Sequence, residues 1–315
     1  MIMKIYLITL LALLFVFVAQ AQEKISKSFE GVNKMSINLA SGDCTLKKGA
    51  TPTIRVELQY TYDNDEFKPQ IEQKGSKLII KEKFEGQNHS GWSKWTITIP
   101  DGLEVTVNSG SGDLTIGNLK LEIKTNSGSG DMDLSDTSGD VTINTGSGDV
   151  EINTQDGEIS VNTGSGDVWI TSGKGNVKIN TGSGDIRIVN SNADFSINTG
   201  SGDITANDIT IAGKSGFNSG SGDTSVTFGS SLDYDISVNS GSGDAVLDFN
   251  NNEINGVVTM QANKRNGRIA APFEFDKVEE EKHGSQTIIK KTVRIGSTDI
   301  KIHVGTGSGK AEITN

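Results

Sequence analysis

Hydrophobic and polar positions alternate through the middle of the chain in short segments that recur at a fixed spacing. VEI at 150–152, VWI at 168–170 and IRI at 186–188 each follow a Ser-Gly-Asp triplet. Alternation of β-branched and polar residues with period two is typical of a strand buried on one face. A weaker copy, such as VKI at 177–179, follows nine residues later. One unit therefore reads as strand, turn, strand, turn.

The Asp of the triplet shows the period most clearly. It recurs every 18 residues from Asp113 to Asp203, and then after 20 and 21 residues at Asp223 and Asp244. Such a period predicts either a parallel solenoid or an antiparallel meander of nine-residue strands. Identical residues stack directly, ~4.8 Å apart, only in the solenoid. The constant Asn five residues before each Asp therefore favours the solenoid, right-handed as parallel crossovers usually are.

The predicted fold class is all-β, a right-handed parallel β-helix or β-solenoid with two-strand coils of about 18 residues and irregular terminal coils. Stacked Asn amides are expected to hydrogen-bond along their column, and each Asp is expected to accept backbone N–H groups in its own turn. Corner glycines such as Gly146 and Gly148 are expected to adopt positive φ. The predicted structural ladder comprises Asn126, Asn144, Asn162, Asn180, Asn198, Asp131, Asp149, Asp167, Asp185 and Asp203.

Four segments are predicted along the chain. Residues 1–21 have a Lys, an apolar run and an Ala-Gln-Ala ending, the pattern of a secretory signal peptide. Residues 22–107 should form N-terminal irregular β coils, 108–249 the regular repeat of 18–21 residues, and 250–315 C-terminal irregular coils and a cap, with an exposed loop at 279–282.

Charge and cysteine content exclude several classes of protein. The 40 Asp and Glu exceed the 29 Lys and Arg, giving a net charge of −11, which disfavours binding to nucleic acid. The sequence contains no second apolar stretch that could serve as a membrane anchor, so the mature chain is not expected to insert into a membrane. Cys44 is the single cysteine, so no intrachain disulfide is possible, and it is predicted to be buried. The expected location is the periplasm, the cell surface or the extracellular space.

One outward position is a candidate for ligand binding. Trp169 is predicted to stand between Glu151 and Arg187 on successive coils. It could make a cation–π contact with Arg187, or it could be a stacking platform for a sugar ring or a partner's apolar side chain. A second candidate patch contains Trp92 and Trp95.

Neither a cofactor nor a metal site is predicted, although the Asp column leaves calcium as an alternative. Calcium-binding rolls also have 18-residue coils, but their Asp stands one residue further from the Gly. No catalytic residue is predicted either. Acid–base catalysis needs carboxylates in dissimilar environments, whereas this column places equivalent carboxylates at identical corners.

The corners resemble a known group of proteins. Repeated Ser-Gly-Asp-Val-x-Ile segments, the strand ITIPDG at 97–102 and the closing strand IKIHVG at 300–305 are similar to adhesin families of uncharacterised function, the DUF4097 type, related to autotransporter adhesin head domains. The resemblance covers most of the mature chain. It implies a right-handed β-helix distantly similar to pectin lyases, a cell-surface adhesion role and no established catalytic residues.

The predicted function is therefore that of a non-enzymatic, exported, adhesin-like β-solenoid. It would act as a cell-envelope or surface binding or display protein, and its partner would be an envelope or extracellular protein or glycan. Two alternatives stay open. One is a β-helix enzyme that acts on cell-envelope polysaccharide, and the other is a periplasmic structural or stress-response component without a ligand.

Overall fold

A computed structural model describes residues 22–86 and 90–315, so the predicted signal peptide lies outside the described residues. The N-terminal strands are β1 (Glu23–Phe29), β2 (Lys34–Leu39), β3 (Asp43–Lys48), β4 (Ile54–Tyr60), β5 (Gln70–Lys74), β6 (Lys77–Lys81) and β7 (Ser93–Ile99). The described part of the chain contains no helix of the length and hydrophobicity needed to cross a bilayer.

The repeat and the C-terminal region are also built from strands. The repeat contains β8 (Leu103–Ser109), β9 (Leu114–Gly117), β10 (Leu121–Ser127), β11 (Met132–Ser138), β12 (Val141–Thr145), β13 (Val150–Thr163), β14 (Val168–Thr181), β15 (Ile186–Val189), β16 (Asn192–Thr199), β17 (Ile204–Ile211), β18 (Ser215–Ser219), β19 (Thr224–Phe228), β20 (Ile236–Ser240) and β21 (Ala245–Asp248). The C-terminal strands are β22 (Gly256–Asn263), β23 (Arg268–Ala270), β24 (Lys277–His283), β25 (Gln286–Ile295), β26 (Lys301–Thr306) and β27 (Lys310–Thr314).

Consecutive coils pair in parallel with a shift of 18 residues. Between β13 and β14, for example, Val150 pairs with Val168, and Ile159 pairs with Val177. Each coil gives one strand to a first stack, formed by the strands after the Ser-Gly-Asp triplets, and one strand to a second stack, formed by the strands before them. The predicted parallel β-solenoid is confirmed, and the meander is excluded for the repeat. The right-handed sense of the coil stays a prediction.

The inward side chains of both stacks meet in one continuous apolar core. Ile152, Ile170 and Ile188, at successive levels, are each at most 1 % exposed. Burial of such a side chain stabilises the fold by roughly 1.5–3 kcal/mol. The period-two pattern of the sequence therefore identifies the inward positions of the repeat.

Asparagine side chains form a hydrogen-bonded ladder along the second stack. Nδ2 of Asn144 donates to Oδ1 of Asn126 at 3.1 Å, and Nδ2 of Asn162 donates to Oδ1 of Asn144 at 3.1 Å. Because each amide is both donor and acceptor, one residue type serves every level. The bond recurs at 2.9–3.2 Å through Asn38, Asn108, Asn126, Asn144, Asn162, Asn180, Asn198, Asn218 and Asn239.

The Asp carboxylates join neighbouring coils. The backbone N–H of Asp149 donates to Oδ1 of Asp131 at 2.9 Å, and that of Asp167 donates to Oδ1 of Asp149 at 2.8 Å. The expectation that each Asp accepts N–H groups of its own turn is wrong, because a buried hydroxyl takes that role. Oγ1 of Thr145 accepts the N–H of Gly148 at 3.1 Å.

Close packing between coils, and not positive φ, requires glycine at these corners. Gly146 and Gly148 do not adopt positive φ, so that prediction is wrong. A Cβ on Gly148 would overlap the carbonyl oxygen of Gly130 one coil below, and a Cβ on Gly146 would overlap that of Gly128. Contacts between coils therefore exclude any residue with a Cβ from these two positions.

A second corner column does adopt the left-handed conformation, at residues that are not glycine. Its members have φ between 51° and 58°, and Thr154 is the β-branched residue among them. A β-branched side chain in this region is strained by roughly 1–2 kcal/mol. The column comprises Asn118, Asp136, Thr154, Ser172, Asn190 and Asp208.

The first coil lies directly beneath the repeat although a long segment separates them in sequence. β2 and β3 pair in parallel with β8 and β9. The intervening residues fold back below this coil. There β6 and β7 pair in parallel with β2 and β3, whereas β4 runs antiparallel to β1 and β7, and β5 runs antiparallel to β6. This end is therefore irregular in strand direction as well as in spacing.

Glu82 closes the lowest corner. Within the repeat, corner N–H groups donate to carbonyl oxygens of the coil below, as Ser147 does to Gly128 at 3.2 Å. The corner at residues 40–42 belongs to the first coil, and its three N–H groups instead donate to Oε2 of Glu82 at 2.8–3.2 Å. One carboxylate thus replaces the carbonyl oxygens that a coil below would otherwise supply.

Cys44 faces inward from β3, as the corner pattern indicates. It is 2 % exposed, and burial raises the pKa of its thiol to about 12. The thiol therefore stays protonated and packs as a small apolar side chain.

The last coil is inserted between two earlier parts of the chain. β26 pairs in parallel with both β20 and β22, and β27 pairs in parallel with β21 and β23. The antiparallel hairpin of β24 and β25 then covers β22. Residues 279–282 lie in β24, so the predicted loop is wrong, because pairing with β25 holds this charged run extended. A charged edge strand discourages pairing with further chains.

The corner packing gives a first prediction. Gly148→Ala is expected to destabilise the protein by about 3 kcal/mol, because the obstructing atom is backbone and cannot turn away. Ser147→Ala, at the exposed neighbouring position, should change stability by less than about 0.5 kcal/mol. Urea unfolding measures both. A Gly148→Ala protein as stable as the parent would show that the coils do not approach this closely.

The left-handed column gives a second prediction. Thr154→Asn should stabilise the protein by about 1 kcal/mol, because Asn tolerates this conformation and occupies it in other coils. Thr115→Asn is the matched control at an exposed position of β9, and it should destabilise by up to about 1 kcal/mol through lower strand propensity. Thermal unfolding compares the two. Effects of the same sign would contradict the strain at Thr154.

Candidate functional site

The three residues predicted to bind a ligand are neighbours on the first stack. The Cα of Trp169 pairs laterally with that of Glu151 on β13 and with that of Arg187 on β15. Adjacent levels lie ~4.8 Å apart. The side chain of Trp169 projects outward, and the residue is 38 % exposed.

Trp169 forms one wall of a shallow groove of about 260 Å³, here named the Trp169 groove. The buried side chains of Leu114 and Met132 form part of its floor. Arg187 does not line it. The remaining lining is mainly acidic and includes Asp113, Asp131, Asp133, Asp149 and Glu151.

Local hydrogen bonds orient the acidic side chains of this groove. Oδ1 of Asp133 accepts from Oγ of Ser135 at 3.0 Å, and Oε1 of Glu151 accepts from Nδ2 of Asn153 at 2.9 Å. Each bond uses one carboxylate oxygen, and the other can accept a hydrogen bond from a ligand. The uniform negative charge attracts hydroxyl and ammonium donors and repels anions.

Trp169 and Arg187 do not make the cation–π contact that the sequence suggested. No such contact joins these two side chains, both of which the structure describes. The indole instead borders the groove on the side of Glu151, whereas Arg187 lies on the other side of Trp169. The ring is therefore not engaged by the neighbouring guanidinium.

The second predicted aromatic patch is not formed. Trp92 is 46 % exposed, whereas Trp95 is completely buried and donates from Nε1 to Oε1 of Glu82 at 2.9 Å. The alternation along β7 places Ser93 and Trp95 inward. The two indoles therefore cannot form one surface.

The Asp column offers no convergent metal site. No group of three or more His, Cys, Asp or Glu side chains in residues 22–86 and 90–315 is arranged to hold a metal ion. One oxygen of each repeat Asp already accepts a backbone N–H, as at Asp131 and Asp149. The column is thus arranged to join coils.

The structural role predicted for the Asp column, with calcium as the alternative, leaves out its place in the Trp169 groove. A signal was present, because residues two apart on a strand share a face. Asp131 with Asp133, and Asp149 with Glu151, have this spacing. Acidic pairs on two successive coils beside Trp169 indicate an acidic groove.

The geometry predicts that calcium does not stabilise the fold. The thermal midpoint in millimolar CaCl₂ and that in EGTA should differ by less than about 1 °C, because an ion that binds the native state would raise it. Magnesium at equal ionic strength controls for screening. A calcium-specific increase of several degrees would contradict this expectation.

A protein-family model described as Toastrack DUF4097 matches residues 32–271. No curated protein matches the sequence. A solved structure of a candidate cell adhesion protein from Clostridium sporogenes is 15% identical and aligns over 93% of this chain and 99% of that chain, with a TM-score of 0.23. A candidate lipid binding protein from Parabacteroides distasonis is 17% identical and aligns over 93% of this chain and 96% of that chain, with a TM-score of 0.45.

A candidate adhesin from Bacteroides fragilis is 12% identical and aligns over 93% of this chain and 98% of that chain, with a TM-score of 0.38. The family match is the stronger finding, because it spans well over half of the sequence. It also agrees with the resemblance of the corner motifs. The chain belongs to the Toastrack DUF4097 family.

Proposed function

We propose that this protein is a non-enzymatic, exported solenoid that binds a neutral glycan of the cell envelope or of an extracellular partner through the Trp169 groove. The observation that carries the proposal is an exposed indole beside oriented carboxylates. Sugar rings offer an apolar face to an aromatic ring and hydroxyl donors to carboxylates. An adhesin-like role at the cell envelope follows from such binding.

The rigidity of the scaffold supports this proposal. Glu151 and Trp169 lie on strands hydrogen-bonded to both neighbouring levels, and the Asn and Asp ladders join the same coils. A preformed site loses little conformational entropy on binding. The open shape of the groove suits a ligand that is part of a larger surface.

The arrangement of carboxylates supports binding in preference to catalysis. Asp133 and Glu151 occupy equivalent positions on successive coils, and each accepts a hydrogen bond from a polar residue two positions later. General acid–base catalysis needs one protonated and one ionised group, which requires dissimilar environments.

A glycan array with the secreted chain tests the proposal. The parent should bind neutral glycans, and Trp169→Ala should lose at least about tenfold in affinity through loss of the stacking surface. Trp92→Ala is the matched control, because it removes another exposed indole outside the groove.

Three results would contradict the proposal. Equal loss in both Trp variants would place binding elsewhere. Selection of glycans that carry amino groups over neutral glycans would assign the acidic groove to a cationic ligand. The absence of any bound glycan would favour a structural component without a ligand.

A further inference from the structure

A second groove, of opposite charge, lies on the outward face of the second stack near its C-terminal end. β26, β22 and β25 are adjacent there, and the groove measures about 540 Å³. Lys301 and Arg294 lie at one end, on either side of Val257. Lys290 lies at the other end, beside Gln261. We name this surface the basic groove.

The cations of the basic groove are only partly neutralised by the protein. Nζ of Lys290 lies 3.6 Å from Glu281. Arg294 pairs with Asp299 at 2.9 Å, but the Asp299 side chain is 91 % exposed and can be displaced. Lys301 makes no side-chain ion pair within the described residues. In a chain of net charge −11, three cations in one groove are a local reversal of the overall charge.

Acidic residues at the borders of the groove have partners of their own. Glu279, opposite Lys290 on β24, pairs with Lys277 at 2.7 Å, and this contact lowers its pKa. Oδ1 of Asp235 accepts the backbone N–H of Lys301 at 2.8 Å. These carboxylates border the groove without closing it.

The middle of the basic groove is polar and uncharged. Thr259 supplies a hydroxyl there with His303 beside it, and Gln261 adds an amide next to the Lys290 end. Burial, with a smaller contribution from Lys290, lowers the pKa of His303, so its imidazole is neutral at pH 7 and can donate or accept a hydrogen bond. This surface suits hydroxyl groups.

The spacing of the cations indicates an extended ligand. Lys290 and Arg294 are four residues apart on β25, which separates their Cα atoms by ~13 Å along an extended strand. A separate depression of about 660 Å³ is lined by the turn at 263–266, which follows Gln261 closely in sequence. A single small anion would contact only one end of the basic groove.

We propose that the basic groove binds an acidic saccharide, with carboxylate or sulfate groups at the two cationic ends and sugar hydroxyls over the polar middle. The guanidinium and ammonium groups supply charge-assisted hydrogen bonds to the anionic groups. Val257 and the aliphatic stems of the lysines contact the apolar faces of the sugar rings. The proposal does not depend on the Trp169 groove.

Isothermal titration of the full mature chain with trigalacturonate tests the proposal, with maltotriose as the neutral probe and inorganic phosphate as the simple anion. Trigalacturonate should bind, and its affinity should fall as NaCl rises. Lys290→Gln/Lys301→Gln should weaken it at least tenfold. Lys124→Gln/Lys178→Gln is the matched control, because it removes the same charge from exposed positions of the second stack, and it should bind like the parent.

Each remaining outcome overturns the proposal. Equal binding of maltotriose would mean that the cations of the basic groove do not contribute to the affinity. Equal binding of phosphate would reduce the site to one for a small anion. Unchanged affinity in Lys290→Gln/Lys301→Gln, or no binding of trigalacturonate at millimolar concentration, would exclude an acidic saccharide. Trp169→Ala should leave this titration unchanged, which separates it from the test of the Trp169 groove.

Discussion

The close approach of successive Ser-Gly-Asp corners is the constraint on which the rest of the structure depends. The carbonyl oxygen of Gly130 occupies the space where a Cβ of Gly148 would lie, so the corner tolerates glycine alone. Once the corners are in contact, residue i+18 must lie over residue i. The Asn amides and Asp carboxylates then meet at hydrogen-bonding distance at every level. Register, ladders and core thus follow from one repeated backbone contact.

The ends of the stack show what happens where a level is missing. Oε2 of Glu82 takes the corner N–H groups that would otherwise donate to a coil below. At the other end the chain places its last coil inside the stack and leaves the charged strand β24 at the edge. Between these ends, outward positions other than the Asn column are free to vary, because the inward positions, the corners and the Asn ladder stabilise the fold. Both grooves are lined mainly by outward side chains, the Trp169 groove in the repeat and the basic groove on the C-terminal strands β22, β25 and β26, so their charges can differ without a change in the core.

Much of the fold could be predicted because the same corner, ladder and core contacts recur at each level. The strands and the inward residues follow from period and alternation, and the parallel register follows from the constant Asn column. The reason for the corner glycines could not, because the carbonyl that excludes a Cβ at Gly148 belongs to another coil. Glu82 and the hairpin at β24 lie outside the repeat, so no second copy reveals their role. Two residues of the Trp169 groove, Trp169 and Glu151, could be predicted from the sequence. The basic groove could not, because it joins β22, β25 and β26, which are not consecutive in sequence.

Distance measurement between spin labels tests the in-register stacking most directly. Thr106 and Ser196 belong to one outward column and are five levels apart. Cysteines at these positions, in a Cys44→Ala background, carry the labels, and dipolar spectroscopy reports their separation. The stacked solenoid predicts about 24 Å between the two backbones, from ~4.8 Å per level. An antiparallel meander of nine-residue strands would place them about 48 Å apart, and a distance near that value would contradict the account.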